Sequence, residues 1–127
     1  MKILCIDYGR HKIGLALSVN GFSEPLKVLH IKFTKDAIAK VLEQVGIEAP
    51  DKIIVGVSEC PMGLESKQFS EELQKKVRVS VETYDETLTS QDAQRLSREA
   101  GVGQKKRKEM EDAYAASVML QYYIDNN

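Results

Sequence analysis

The sequence predicts an α/β domain built on a mixed five-stranded sheet flanked by helices. Two observations carry that expectation. Residues 1–33 hold three apolar stretches separated by tight polar turns, the pattern of an antiparallel meander. From Lys35 onward the apolar spacing changes to a helical one, and helix and strand patterns then alternate. That rhythm implies right-handed crossovers that lay parallel strands onto the same sheet. A length of 127 residues fits one domain, 1–127, with a single core.

The first strand is Ile3-Leu4-Cys5-Ile6, ending on Asp7. Both of its faces are apolar, so it is expected at the sheet centre, covered on both sides. An acid at the point where a buried strand emerges needs a partner or a metal. Tyr8-Gly9-Arg10-His11-Lys12 forms a hairpin loop, and Ile13 to Val19 the second strand. There Ile13, Leu15, Leu17 and Val19 share one face, while Gly14, Ala16 and Ser18 share the other. A face of small residues admits close approach of a helix or a ligand, and helix packing is the plainer reading. Asn20-Gly21 marks a turn into a third strand, expected over Leu26 to Phe33. His30 within it reads as a solvated residue, because no second metal ligand is spaced near it.

A helix follows on Ile38, Val41, Leu42 and Val45, with Thr34 as its N-cap and Gly46 as its C-cap. Lys52 to Val57 is a compact apolar strand, and Ser58 to Gly63 a loop rich in turn formers. Leu64 to Val77 reads as a helix with Phe69, Leu73 and Val77 on one stripe. Val79 to Tyr84 alternates as the last strand and runs into Asp85 and Glu86. Thr89 or Ser90 caps a short helix over Gln91 to Ala100, which Gly101-Val102-Gly103 ends. The basic run Lys105-Lys106-Arg107-Lys108 then reads as a connection into a final helix from about Lys108 to Ile124.

Composition narrows the function classes. With 43% hydrophobic and 29% charged residues, nothing points to disorder. No apolar run approaches the roughly 20 residues of a membrane span, and the N-terminus has no signal-peptide pattern. A cytoplasmic protein without membrane association is expected. The net charge of −1 does not itself advertise nucleic-acid binding, so any such surface must be local. Cys5 and Cys60 have no metal or redox spacing.

Three acids stand out by position. Asp7 ends the first strand, Glu86 follows the last with Asp85 beside it, and Asp112 shares a helical stripe with Ala116, Met119 and Leu120. Taken singly, each has a plain structural reading as a turn former, a helix lead-in or the edge of a stripe. Carboxylates converging on one end of a sheet repel one another, however, and persist only with positive charge between them. Mg²⁺ is the natural candidate, since it takes hard oxygen ligands and substrate phosphate. A pair of such ions suits phosphodiester hydrolysis. Lys105 to Lys108 would contact the phosphate backbone beside the metal, with Arg10, His11 and Lys12 adding to the grip.

These residues also carry a family resemblance. Asp7-Tyr-Gly-Arg-His-Lys-Ile-Gly-Leu-Ala16 resembles the opening motif of the YqgF/RuvX family, whose members are known as pre-16S rRNA nucleases and Holliday junction resolvase-like proteins. Tyr84-Asp85-Glu86-Thr87-Leu88-Thr89-Ser90 is similar to its second motif. Lys105 to Lys108, Asp112-Ala113, Ala115-Ala116 and Leu120-Gln121 are similar to its third. The likeness runs in order along essentially the whole chain. It implies an RNase H-like fold, Mg²⁺ or Mn²⁺ dependence, and endonuclease activity on structured nucleic acid. It assigns the catalytic, metal-holding carboxylates to Asp7, Glu86 and Asp112, with Asp85 second in rank. Two departures bear on substrate contact: His11-Lys12 replaces the two consecutive basic residues frequent in the family, and the loop from Val57 to Gly63 follows a different pattern.

The function expected from these readings is maturation of the 5′ end of precursor 16S rRNA during ribosome biogenesis. Resolution of a four-way DNA junction is the alternative within the same chemistry. A non-catalytic, RNA-binding ribosome-assembly module is the rival from a different class, although a pure binder gains little from clustered acids facing phosphate. A nucleotide-binding or phosphotransfer protein ranks last, because the chain is too short for a second enclosing lobe. Either a monomer or a homodimer is compatible with the pattern.

Overall fold

The computed structural model describes residues 1–57, 62–85 and 104–126. Its elements are β1 (Ile3–Asp7), β2 (Lys12–Ser18), β3 (Ser23–His30), α1 (Thr34–Glu48), β4 (Lys52–Val57), α2 (Met62–Lys76), β5 (Ser80–Asp85) and α3 (Gln104–Asp125). The strands form one sheet in the order β3-β2-β1-β4-β5. β1 pairs antiparallel with β2 and parallel with β4, β2 pairs antiparallel with β3, and β4 pairs parallel with β5. The expected mixed five-stranded sheet is therefore present, with β1 at its centre.

β1 is central because both its faces have apolar surface to bury. Leu4 and Ile6 join Ile13, Leu15, Ile53 and Val55 in a core covered by Val41 of α1 and by Phe69 and Leu73 of α2. Ile3 and Cys5 face the other way, joining Ala16, Ile54, Ala116, Met119, Leu120 and Tyr123 beneath α3. The small-residue face of β2 is the seat of α3. A Cβ built on Gly14 would overlap the Asp112 carbonyl and lie 2.8 Å from the Ala113 nitrogen. Here helix backbone rests directly on strand backbone.

Two clamps fix α3 along its length. On one side Ser23 Oγ donates to the Ser117 carbonyl at 2.6 Å, the Ser23 amide donates to Gln121 Oε1 at 2.9 Å, and Gln121 Nε2 donates to the Gly21 carbonyl at 3.2 Å. On the other, Lys52 Nζ donates to Tyr123 Oη at 2.5 Å, and that hydroxyl donates to Glu82 Oε2 at 2.9 Å. Lys52 also pairs with Glu82 Oε1 at 2.9 Å. These partners raise the Lys52 pKa and lower that of Glu82, chiefly through the hydrogen bonds.

Several boundaries differ from the sequence expectation. β3 starts at Ser23 rather than Leu26 and includes Pro25. An edge strand tolerates a residue without an N–H, and Leu26 forms a bulge where Leu15 pairs with Lys27 but Ala16 with Pro25. Phe33, not Thr34, caps α1: its backbone is extended, and the Asp36 amide donates to its carbonyl at 2.9 Å. That helix runs past Gly46 to a left-handed Ala49 (φ 48°), whose amide donates to the Val45 carbonyl at 2.8 Å. α3 begins at Gln104, so Lys105 to Lys108 lie in its first turns rather than in a preceding connection. Lysine and arginine are good helix formers, and no turn residue separates the run from the apolar stripe. The expected helix over Gln91 to Ala100, most of the loop from Ser58, and Glu59 and Cys60 within it lie outside the described residues.

Two glycines should respond oppositely to alanine. Gly14→Ala must push α3 off the sheet and should lower stability by about 1–3 kcal/mol. Gly46→Ala, exposed in α1 with open space around its Cβ position, should raise stability by up to about 1 kcal/mol. Urea unfolding of both variants measures the two signs.

Candidate active site at the end of the first strand

Asp7 is the last residue of β1 and is half-buried. Its lateral neighbours are Gly14 in β2 and Gly56 in β4. Gly56 in turn pairs with Tyr84 of β5, so Gly14, Asp7, Gly56 and Tyr84 form one row across the sheet. Strand alternation puts Asp7 on the face of Ile3 and Cys5, which is the α3 face. With glycine on both sides, no neighbouring Cβ in that row shields the carboxylate.

The Asp112 backbone lies over the strand residue next to Asp7. Its backbone carbonyl sits over Gly14, the direct strand partner of Asp7, so α3 and β1 deliver an acid each to one end of the sheet. The helix stripe read from the sequence explains the depth: Ala116, Met119 and Leu120 are fully buried below Asp112. Burial pushes the Asp112 carboxyl above the usual carboxylate range, the positive field of Lys12 pulls it back, Glu111 adds to the push, and His30 opposes it. Glu86, the third expected acid, lies outside the described residues, as does the side chain of Asp85. Among the described residues no three His, Cys, Asp or Glu side chains group to hold a metal. Asp7 and Asp112 nevertheless supply hard oxygen donors in a half-buried setting, a donor set that fits Mg²⁺ or Mn²⁺.

The hairpin loop separates its basic residues. Lys12 lies on the α3 face, two residues from Gly14, and pairs in register with His30. Both are exposed, and both bear electrostatically on Asp112. Arg10 turns instead to α2, where Nε lies 3.2 and 3.1 Å from the two Glu65 carboxylate oxygens and Nη2 donates to Oε1 at 2.8 Å. That pairing lowers the Glu65 pKa and raises that of Arg10. His11 is exposed, and its carbonyl accepts the Ile31 amide at 2.9 Å. Gly9 keeps the loop tight, because a Cβ there would come within 2.6 Å of the Lys12 carbonyl oxygen. The backbone of Lys105 to Lys108 belongs to the start of α3, and their side chains lie outside what is described.

A family model described as "RuvX: Holliday junction resolvase" matches residues 1–126. The chain belongs to the RuvX family. A relative from Syntrophomonas wolfei named "Putative pre-16S rRNA nuclease" is 31% identical, covering 98% of this chain and 94% of its own. One of the same name from Bacillus thuringiensis is 32% identical, covering 99% of each. Among solved structures, RuvC of T. thermophilus in complex with a Holliday junction substrate has a TM-score of 0.67 at 18% identity, covering 100% of this chain and 97% of that one. Fowlpox virus resolvase, solved with Holliday junction DNA, has a TM-score of 0.66 at 14% identity, covering 99% and 98%. At these identities the likeness speaks to fold, which is RNase H-like and of the RuvC kind.

Around this candidate site, the placement of two residues had no sequence signal. His30 faces Asp112 only because its strand register with Lys12 does, and that register rests on the Leu26 bulge. Glu65 holds Arg10 from 55 residues away, on an element whose orientation the sequence pattern leaves open. Tyr84 was visible as part of a motif, yet its packing was not: its ring meets Tyr123 edge-on, with centroids 5.7 Å apart.

Because burial raises the Asp112 pKa, its ionised form costs stability at every pH above the ordinary aspartate value of about 3.9. The cost disappears as pH falls below that value. In metal-free buffer at pH 7, Asp112→Asn should therefore raise the melting temperature above wild type. The gain should vanish when the same scans are run near pH 3.5. A variant that melts lower at pH 7 contradicts this account of the site.

Proposed function

We propose that this chain is a divalent-metal-dependent endonuclease that matures the 5′ end of precursor 16S rRNA in the cytoplasm. Membership of the RuvX family makes it a hydrolase of phosphodiester bonds. The observation that carries the site assignment is the seating of Asp112 over Gly14, which joins an acid from α3 to the acid that ends β1. Carboxylates brought together there would repel each other, and a hard cation would relieve both that repulsion and the burial cost of Asp112. Asp7 and Asp112 would hold Mg²⁺ or Mn²⁺ together with Glu86, which follows the last residue of β5 in the chain. When bound, such an ion supplies Lewis acidity to the phosphodiester and eases ionisation of the attacking water.

The protein's own groups do the rest. Lys12 and His30, exposed beside Asp112, are placed to receive the negative charge of the scissile phosphate. Lys105, Lys106, Arg107 and Lys108 occupy the start of α3, where the helix dipole is already positive and the first turn holds no acid. Four cations at such an end are unfavourable alone and favourable against a polyanion. His11 is exposed on the hairpin, while Arg10 is held by Glu65 and would have to leave that carboxylate to meet a phosphate. The names of the relatives from Syntrophomonas wolfei and Bacillus thuringiensis support RNA as substrate. The description of the matching family model favours a second reading, four-way DNA, within the same chemistry.

Labelled 5′-extended 16S precursor and a four-way DNA junction, each incubated with Mg²⁺ or with EDTA, test the proposal directly. Cleavage of the precursor in Mg²⁺ alone is expected. Asp7→Asn, Glu86→Gln and Asp112→Asn should each reduce it by about a hundredfold or more, since even outer-shell changes at metal sites cost about 10–100-fold. Millimolar Mg²⁺ should also raise the wild-type melting temperature, and less so in those variants. Preference for the junction would favour the DNA reading. Binding of precursor without cleavage in Mg²⁺ would favour the assembly-module rival.

A further inference from the structure

On the α1/α2 side of the sheet, at the same end as Asp7, lies a groove of about 910 Å³. Its floor is aromatic: Tyr8 and Phe69 are stacked with centroids 4.7 Å apart and are almost wholly buried. Its rim is cationic, carrying Lys32, Lys35 and Lys76. Arg10 and Glu65 also line it and neutralise one another, so the three lysines face a single uncompensated acid, Glu72. Phe33 stands on the same rim with 69% of its surface exposed. Its backbone is nonetheless held as the N-cap of α1 by the bond from the Asp36 amide.

An exposed ring among lysines, over an aromatic floor, matches the chemistry of unpaired nucleotides. Bases stack on such rings while phosphates meet the cations, and a base offers its face only when it is not stacked in a duplex. The volume is in the range of small-ligand pockets, enough for about two nucleotides. The groove also adjoins the candidate site through the chain itself. Asp7 and Tyr8 are consecutive, with Cα atoms about 3.8 Å apart, and alternation sends one side chain to the α3 face and the other to the groove. A strand leaving the Asp7 side needs only to cross the Gly9–Lys12 hairpin to enter it.

We propose that this groove binds a single-stranded extension of the nucleic-acid substrate, stacking a base on Phe33 and holding the flanking phosphates with Lys32, Lys35 and Lys76. The proposal rests on the nuclease reading for the source of that strand, and its binding chemistry can be read without cleavage.

Fluorescence anisotropy with labelled 12-nucleotide single strands of RNA and of DNA, in EDTA, measures the interaction over a salt series. Phe33→Ala should weaken binding by about five- to a hundredfold, the range for loss of one stacked base. Lys32→Ala with Lys35→Ala should reduce the magnitude of the salt slope by about 1.4, or 0.7 for each phosphate contact. Phe22→Ala, an equally exposed aromatic at the β2–β3 turn, should leave binding unchanged and controls for generic loss of surface aromatics. In Mg²⁺, Phe33→Ala should raise KM more for a substrate with a single-stranded extension than for one trimmed flush. Single-strand affinity unmoved by both the Phe33 and the lysine changes, in RNA and DNA alike, overturns the groove even if cleavage is intact. Groove-dependent binding by a protein that cuts nothing in Mg²⁺ overturns the nuclease reading and leaves the groove standing.

Discussion

The structure depends on one backbone-to-backbone contact. Where the Asp112 carbonyl lies over Gly14, α3 approaches the sheet more closely than any side chain would permit. That approach sets the height of the helix above β1 and β2, and so fixes the Asp112 backbone over the strand partner of Asp7. The clamps at Ser23–Ser117–Gln121 and at Lys52–Tyr123–Glu82 then fix its position along and across the sheet. Removing the side chain at residue 14 lets two elements remote in sequence contribute to one site.

The charge arrangement follows from that geometry. A chain of net charge −1 has no general attraction for a polyanion, so recognition must come from local placement. Asp112 lies on the α3 face, and Lys12 of the hairpin and His30 of β3 bear on it electrostatically. Arg10 is the exception among the hairpin cations. Its bidentate pairing with Glu65 ties the loop to α2, so any contact it makes with phosphate exchanges one anion for another.

Much of this was legible in the sequence, and the parts that were not share a cause. β4 could be read to the residue because a buried parallel strand is a continuous apolar run with clear borders. Asp7 and Asp112 were visible because a charge on an apolar pattern is locally anomalous. The role of Gly14, Ala16 and Ser18 as a helix seat followed from strand alternation alone. By contrast, the early start of β3, across Pro25, depends on its being an edge strand, where a residue without an N–H is tolerated. The end of α1 depends on a non-glycine residue, Ala49, adopting left-handed backbone. His30 came to bear on Asp112, and Glu65 on Arg10, through register and tertiary placement, and each carries an unremarkable local sequence. Periodicity reports burial, whereas pairing across the sheet is a property of the whole chain.

The position of β1 has a consequence in time. It is the central strand, yet one of its neighbours, β4, follows only after α1, and the helix covering its acid comes last. During synthesis the hairpin of β1 and β2 emerges early and can pair at once, while Asp7 waits for Asp112 until α3 has emerged. A partly made molecule without α3 would have the hairpin and its basic loop but not Asp112.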